Sequence, residues 1–216
     1  MKKNLTELVF IIDRSGSMHG LEDDTIGGFN SMLEKQKEAD GEAIVSTVLF
    51  NDKAEVIHNR FDIRDVEPLT NRDYRVGGCT ALLDAVGRGI DKIVSVQRHL
   101  PEDSRAEKVI FVIITDGYEN ASREYTYNRI KKMIDLEQEK YGWEFIFLGA
   151  NIDAVAEGAR FGIREDRAVR YKSDAEGTAL NYDVVATTVC EMRCAGHRID
   201  GRWKDRIEDD VRRRGE

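Results

Sequence analysis

Cysteine and proline are scarce in this chain, long apolar runs are absent, and there is no excess of positive charge. Three cysteines, Cys79, Cys190 and Cys194, occur in 216 residues. An odd, sparse set excludes a disulfide framework and fits reduced thiols. Two prolines, Pro68 and Pro101, leave no proline-rich linker. No apolar run approaches the ~18 residues that a membrane-spanning helix needs. The formal net charge of −8 argues against nucleic acid and anionic membrane as partners, since both select for a basic surface. The first apolar stretch is too short for a signal peptide and no small-residue cleavage site follows it, so the expected compartment is the cytoplasm. No G-x-G-x-x-G follows that stretch and no G-x-x-x-x-G-K-[ST] occurs anywhere, which leaves dinucleotide and P-loop chemistry without support.

What is present is a globular balance of 41% hydrophobic and 34% charged residues. One domain of this length buries roughly 70% of its unfolded surface and needs no covalent staples. Leu5–Ile12, Ala43–Phe50, Lys108–Thr115 and Trp143–Gly149 are dense in β-branched and apolar residues. Two of them are almost unbroken, Val9–Ile12 and Val109–Ile114, as expected of strands covered on both faces. Helical periodicity lies between them, in Ile26, Phe29 and Leu33, in Leu82, Val86, Ile90 and Ile93, and in Ile130, Met133 and Ile134. It returns in Val184, Val185, Thr188, Val189 and Met192. Strands alternating with helices predict an α/β domain with a mainly parallel sheet. One connection differs: Asn51-Asp52 joins Ile44–Phe50 to an alternating stretch, Lys53–Asn59, which predicts a hairpin and one antiparallel edge strand. A sixth short strand is expected near Ala168–Tyr171. Residues 197–216, rich in Asp, Glu, Lys and Arg, read as a charged C-terminal helix or solvated tail beyond a domain of residues 1–196.

The chemistry concentrates in three short segments. Asp13-Arg14-Ser15-Gly16-Ser17 ends the first strand, and in open α/β sheets ligands bind at that edge. One carboxylate and two hydroxyls alternate there and can point the same way. Gly77-Gly78-Cys79-Thr80 precedes a helix and can offer the Thr80 hydroxyl inward. Thr115-Asp116-Gly117 ends the most apolar strand. With the first and fourth strands as neighbours, Asp13 and Asp116 stand side by side. These hard oxygen donors select Mg2+, with Mn2+ or Ca2+ as substitutes, over zinc or copper. Two carboxylates balance a divalent charge, while hydroxyls and water leave the ion short of negative charge. An anionic oxygen from outside, a Glu or Asp carboxylate on a protein partner, completes it. No general base or nucleophile is evident beside the site, so it reads as a binding site.

The pattern Asp-x-Ser-x-Ser, a distant Thr, then Thr-Asp-Gly resembles the metal-ion-dependent adhesion site of von Willebrand factor type A domains. The surrounding words agree: Ile12-Asp13-Arg14-Ser15-Gly16-Ser17-Met18, Thr80-Ala81-Leu82-Leu83-Asp84-Ala85 and Ile114-Thr115-Asp116-Gly117-Tyr118-Glu119-Asn120. Phe147-Leu148-Gly149-Ala150-Asn151-Ile152-Asp153 is similar to the stand-alone bacterial and phage members. The resemblance covers about residues 5 to 195. It implies a Rossmann-like three-layer fold, with six strands in the order 3-2-1-4-5-6 and the third antiparallel, flanked by helices. It implies a divalent cation held by Asp13, Ser15, Ser17, Thr80 and Asp116, in a complete adhesion-site motif. Family analogy also points to an ATPase or stress-response complex as partner.

Rival readings exist. An Asp at the end of the first strand also begins Mg-dependent phosphoryl transfer, with Asp13 as nucleophile; that chemistry usually has a second Asp two residues on, where this chain has Ser15. Glu119, Asn120 and Ser122 read as capping or solvated residues rather than a rim to the site, Asn151 and Asp153 as either, and Arg14 and His19 as solvated. Cys190, Cys194 and His197 share a spacing that a zinc site could use, but core packing is the better reading of a three-ligand set.

Overall fold

The computed structural model describes residues 1–194 and 199–215. Six strands form one sheet: β1 (Lys2–Asp13), β2 (Glu42–Phe50), β3 (Ala54–Asp62), β4 (Ala106–Thr115), β5 (Glu144–Ala150) and β6 (Ala168–Tyr171). Their order is β3-β2-β1-β4-β5-β6. β1 pairs in parallel with β2 and β4, and β5 with β4 and β6. β3 runs antiparallel to β2 through two register shifts. The expected sheet, hairpin and sixth strand are all present.

Alternation along β1 divides the core. Leu8, Phe10 and Ile12 face α1 (Glu22–Glu38) and α5 (Ala175–Arg193), meeting Phe29, Leu33, Val185 and Val189. Val9 and Ile11 face the other way, with α2 (Leu82–His99), α3 (Tyr127–Tyr141) and α4 (Ala154–Phe161). Because a strand turns successive side chains to opposite faces, an unbroken apolar run is what a strand between two helical layers requires. Among the described residues no helix is long and apolar enough to cross a membrane.

Two charged features depart from the expected apolar plan. Glu7 sits within β1, fully buried. Arg60 on β3 grips it with two bonds of 2.9 Å, from Nε and Nη2. The charged C-terminal segment forms a helix, α6 (Asp205–Arg214), with one face exposed and the other docked. It packs on β6, buries Ile207 in the core and closes an Asp210–Arg214 ion pair. Trp203 Nε1 donates to Asp166 O at 2.8 Å just before it. Its two apolar side chains, Ile207 and Val211, stand among eight charged residues, which is why composition alone left both a helix and a tail open. The boundary assigned between residues 196 and 197, and His197 of the candidate zinc set, lie outside the described residues.

The chain runs outward from β1 to β3 on one side and from β4 to β6 on the other. The connections therefore diverge between β1 and β4 and leave a crevice above their carboxyl ends, where ligands of open α/β sheets bind. Asp13 ends β1 there, and Asp116 follows β4 directly.

Candidate metal centre

Each of the three segments arrives at the crevice for a local reason. Beyond β1 the chain enters a single 3-10 turn, Gly16–Met18. Gly16 N donates to Gly78 O at 3.0 Å, and a Cβ on Gly16 would lie 3.3 Å from that oxygen, so the first two loops touch through backbone. Gly78 has φ +79°, and a Cβ there would collide with Asp52 Oδ2 at 2.0 Å; only glycine fits. Asp52 then holds the loop by accepting from Cys79 N at 3.1 Å. The Thr80 loop is tied to the β4 loop by Asn120, whose Oδ1 accepts from Thr80 N at 2.9 Å and whose N–H donates to Thr80 O at 3.0 Å.

The side chains form a continuous network. Asp13 is fully buried at its floor. Its Oδ1 accepts from Ser15 N at 2.7 Å and its Oδ2 from Thr115 Oγ1 at 2.7 Å. Ser15 Oγ and Ser17 Oγ lie 3.1 Å apart, and Ser17 Oγ donates to Asp116 Oδ1. A Cβ built on Gly117 would lie 3.6 Å from Ser17 Oγ and 3.8 Å from Thr80 Oγ1, so both hydroxyls border the Asp116 loop. Ser17 opens to solvent while Ser15, Thr80 and Asp116 are buried. All five residues singled out in the sequence thus converge.

Two oxygens in this cluster lack partners. Asp116 Oδ2 is buried without a hydrogen bond, and Thr80 Oγ1 has none among the described residues. Burial, reinforced by the neighbouring Asp13 charge, pushes the Asp116 carboxyl up to about 6. Burial likewise raises Asp13. Two adjacent carboxylates that resist ionisation, one with an idle oxygen, form a site electrostatically short of positive charge. A hard divalent cation fits this donor set of carboxylates and hydroxyls. Among the described residues there is no group of three or more His, Cys, Asp or Glu that could hold a metal ion, so a cation here depends on the hydroxyls beside the two carboxylates.

Other residues were legible only in part. Thr115 was visible as a neighbour of Asp116 but not as the donor that fixes Asp13. Tyr74 lies far away in sequence, yet its hydroxyl donates to Asp13 O at 2.5 Å. Glu119 and Ser122 organise the backbone beside the site: Glu119 accepts from Leu83 N, Ala121 N and Ser122 N, and Ser122 Oγ from Asp84 N. Asp153 caps α4 through Ala156 N. Arg14 pairs with Glu55 at 2.6 Å, and His19 with Glu22 at 3.1 Å.

No protein-family model matches the sequence, and no curated protein matches it. Solved structures do. Proximal thread matrix protein 1 of the mussel byssus superposes with a TM-score of 0.58 at 15% identity, over 86% of this chain and 46% of that one. A von Willebrand factor type A structure from Catenulispora acidiphila gives a TM-score of 0.55 at 12% identity, over 86% and 43%. The fold is that of von Willebrand factor type A domains. A further structure of the mussel protein, with a TM-score of 0.55 and 15% identity, has a zinc-occupied MIDAS motif. This chain spans less than half the length of these structures. Within the type A fold, the three loops described above sit at the end of the sheet where β1 and β4 part.

Proposed function

We propose that the chain binds a divalent cation, Mg2+ by preference, through Asp13, Ser15, Ser17, Thr80 and Asp116, and with it an acidic group of a protein partner. The observation that carries this reading is the buried, unpartnered Asp116 Oδ2 beside the hydroxyls of Ser17 and Thr80. The zinc-occupied motif of the mussel protein supports a metal at such a site. Bound there, the cation would supply an open position for an anionic oxygen. Asp13 and Asp116 would balance its charge, and Ser17, exposed at the mouth, would border the arriving group. Thr115 and Asn120 would hold the ligands in place without contacting the partner.

The same geometry favours binding over phosphoryl transfer. Both Asp13 oxygens already accept hydrogen bonds and the side chain has no exposure, whereas a nucleophile must reach its substrate. Ser15, two residues on, offers no acid or base. The sequence expectation of an intracellular binder, in an ATPase or stress-response complex, belongs to this proposal.

The test uses an immobilised panel of Asp- and Glu-containing peptides, with Mg2+ or with EDTA. The reading expects retention of acidic peptides in Mg2+ only, lost in Asp116→Ala, with no phosphatase turnover. Turnover abolished by Asp13→Asn would instead establish the enzyme.

A further inference from the structure

The opposite, amino-end edge of the sheet holds a cleft of about 290 Å³ between the C-terminal ends of α2 and α3 and the start of β4. Its apolar wall is built by Val94, Val109 and Trp143. Glu137 lines it, 4% exposed. Other buried acids accept hydrogen bonds: Glu7 from Arg60, Glu157 from Arg160 and Asp210 from Arg214. The Glu137 carboxylate has no hydrogen bond or ion pair among the described residues. Burial raises its pKa, opposed at a distance by Arg98 and Lys140.

Those two cations also line the cleft and form no ion pair among the described residues. Arg105 is engaged with the carbonyls of Leu100 and Arg98, Glu107 accepts from Asn4 N, and Glu102 is exposed. Arg98, Lys140 and Glu102 are all exposed at the cleft, with Lys140 Nζ 5.2 Å from the Tyr141 ring centroid, and Glu137 is the one buried acid of the lining. The Glu137 oxygens keep contact with solvent in the cleft, so the carboxylate is open to a donor from a ligand. A purely anionic ligand would leave Glu137 unmet, and a purely cationic one would oppose Arg98 and Lys140.

We propose that this cleft binds a small zwitterion with an apolar body, the chemistry of a free apolar amino acid. Its ammonium donates to Glu137, its carboxylate meets Arg98 and Lys140, and its side chain lies against Val94, Val109 and Trp143. The volume sits near the lower end of small-ligand pockets, about 300 Å³. The site is remote from the metal centre and independent of it.

Calorimetry in EDTA with L-phenylalanine, phenethylamine and 3-phenylpropionate tests this on the full chain. L-phenylalanine is expected to bind at least ~10-fold more tightly than either single-ended analogue, the worth of one charge-assisted hydrogen bond. Glu137→Gln should weaken L-phenylalanine by a similar factor and leave 3-phenylpropionate unchanged. Arg98→Gln, at an exposed position, should weaken L-phenylalanine and spare phenethylamine, and it carries the test if Glu137→Gln does not fold. No uptake of L-phenylalanine at millimolar concentration, or equal affinity for all three compounds, overturns the proposal.

Discussion

Asn120 clasps Thr80 through both of its backbone polar groups, accepting its N–H on the side chain at 2.9 Å and donating backbone N–H to its carbonyl at 3.0 Å. The β4 loop thus fixes Thr80 directly, while Gly16 and Asp52 hold the residues before it. Supporting bonds of this kind typically govern metal affinity by 10- to 100-fold. Asn120→Ala is expected to weaken Mg2+ binding by about 10-fold while the far-ultraviolet circular dichroism stays unchanged. Unaltered affinity in a titration would show that the clasp does not position Thr80.

Arg60 stabilises the protein through Glu7. Removing one partner of a buried, bidentate pair leaves an uncompensated charge, and about 3–5 kcal/mol of stability is lost in such cases. Arg60→Ala should show a loss of that size in urea denaturation, and Arg60→Ala with Glu7→Gln should recover part of it. A loss below ~1 kcal/mol would show that Glu7 finds another partner.

Stability should respond to His58. Its ring is buried against Phe29, with Nδ1 2.9 Å from Thr47 Oγ1, and burial lowers its pKa from 6.5 despite opposing fields from Glu67 and Asp73. The unfolded chain takes up this proton near pH 6.5 while the folded protein resists it. The contribution is thus complete above 6.5 and declines as the pH falls toward the lower folded value. Compared with His58→Asn, the wild-type chain should lose more unfolding free energy between pH 7 and pH 5. Parallel pH profiles would exclude His58 as the source.

Ile207 distinguishes a docked helix from a tail. It is 1% exposed beneath α6, and truncating a buried Ile to Ala costs about 2–5 kcal/mol. Ile207→Ala should lower the urea midpoint accordingly. A change within ~0.5 kcal/mol would mean that α6 does not contribute to the core.

The sheet was readable because β1 and β4 are buried on both faces, so their apolar runs carry the signal undiluted. The site was readable because its five donors fall in three short segments with distinctive spacing. What escaped depends on distant contacts. Nothing beside Glu7 in the sequence indicates that Arg60, on β3, will pair with it. Tyr74 gave no local sign that its hydroxyl ends on the Asp13 carbonyl. In α6 only Ile207 and Val211, one turn apart, are apolar, too short a stripe among eight charged residues to separate a helix from a tail.

The most direct measurement of the central claim is calorimetric titration of the EDTA-treated, buffer-exchanged protein with Mg2+, alongside Asp116→Ala. Saturating metal at about 100 times its dissociation constant should add ~2.7 kcal/mol of stability, so a thermal melt provides a second readout. The account predicts one ion per chain for the wild type, a raised melting temperature, and neither effect in Asp116→Ala. Absence of heat and of any melting shift with both Mg2+ and Mn2+, or an undiminished response in Asp116→Ala, would contradict it.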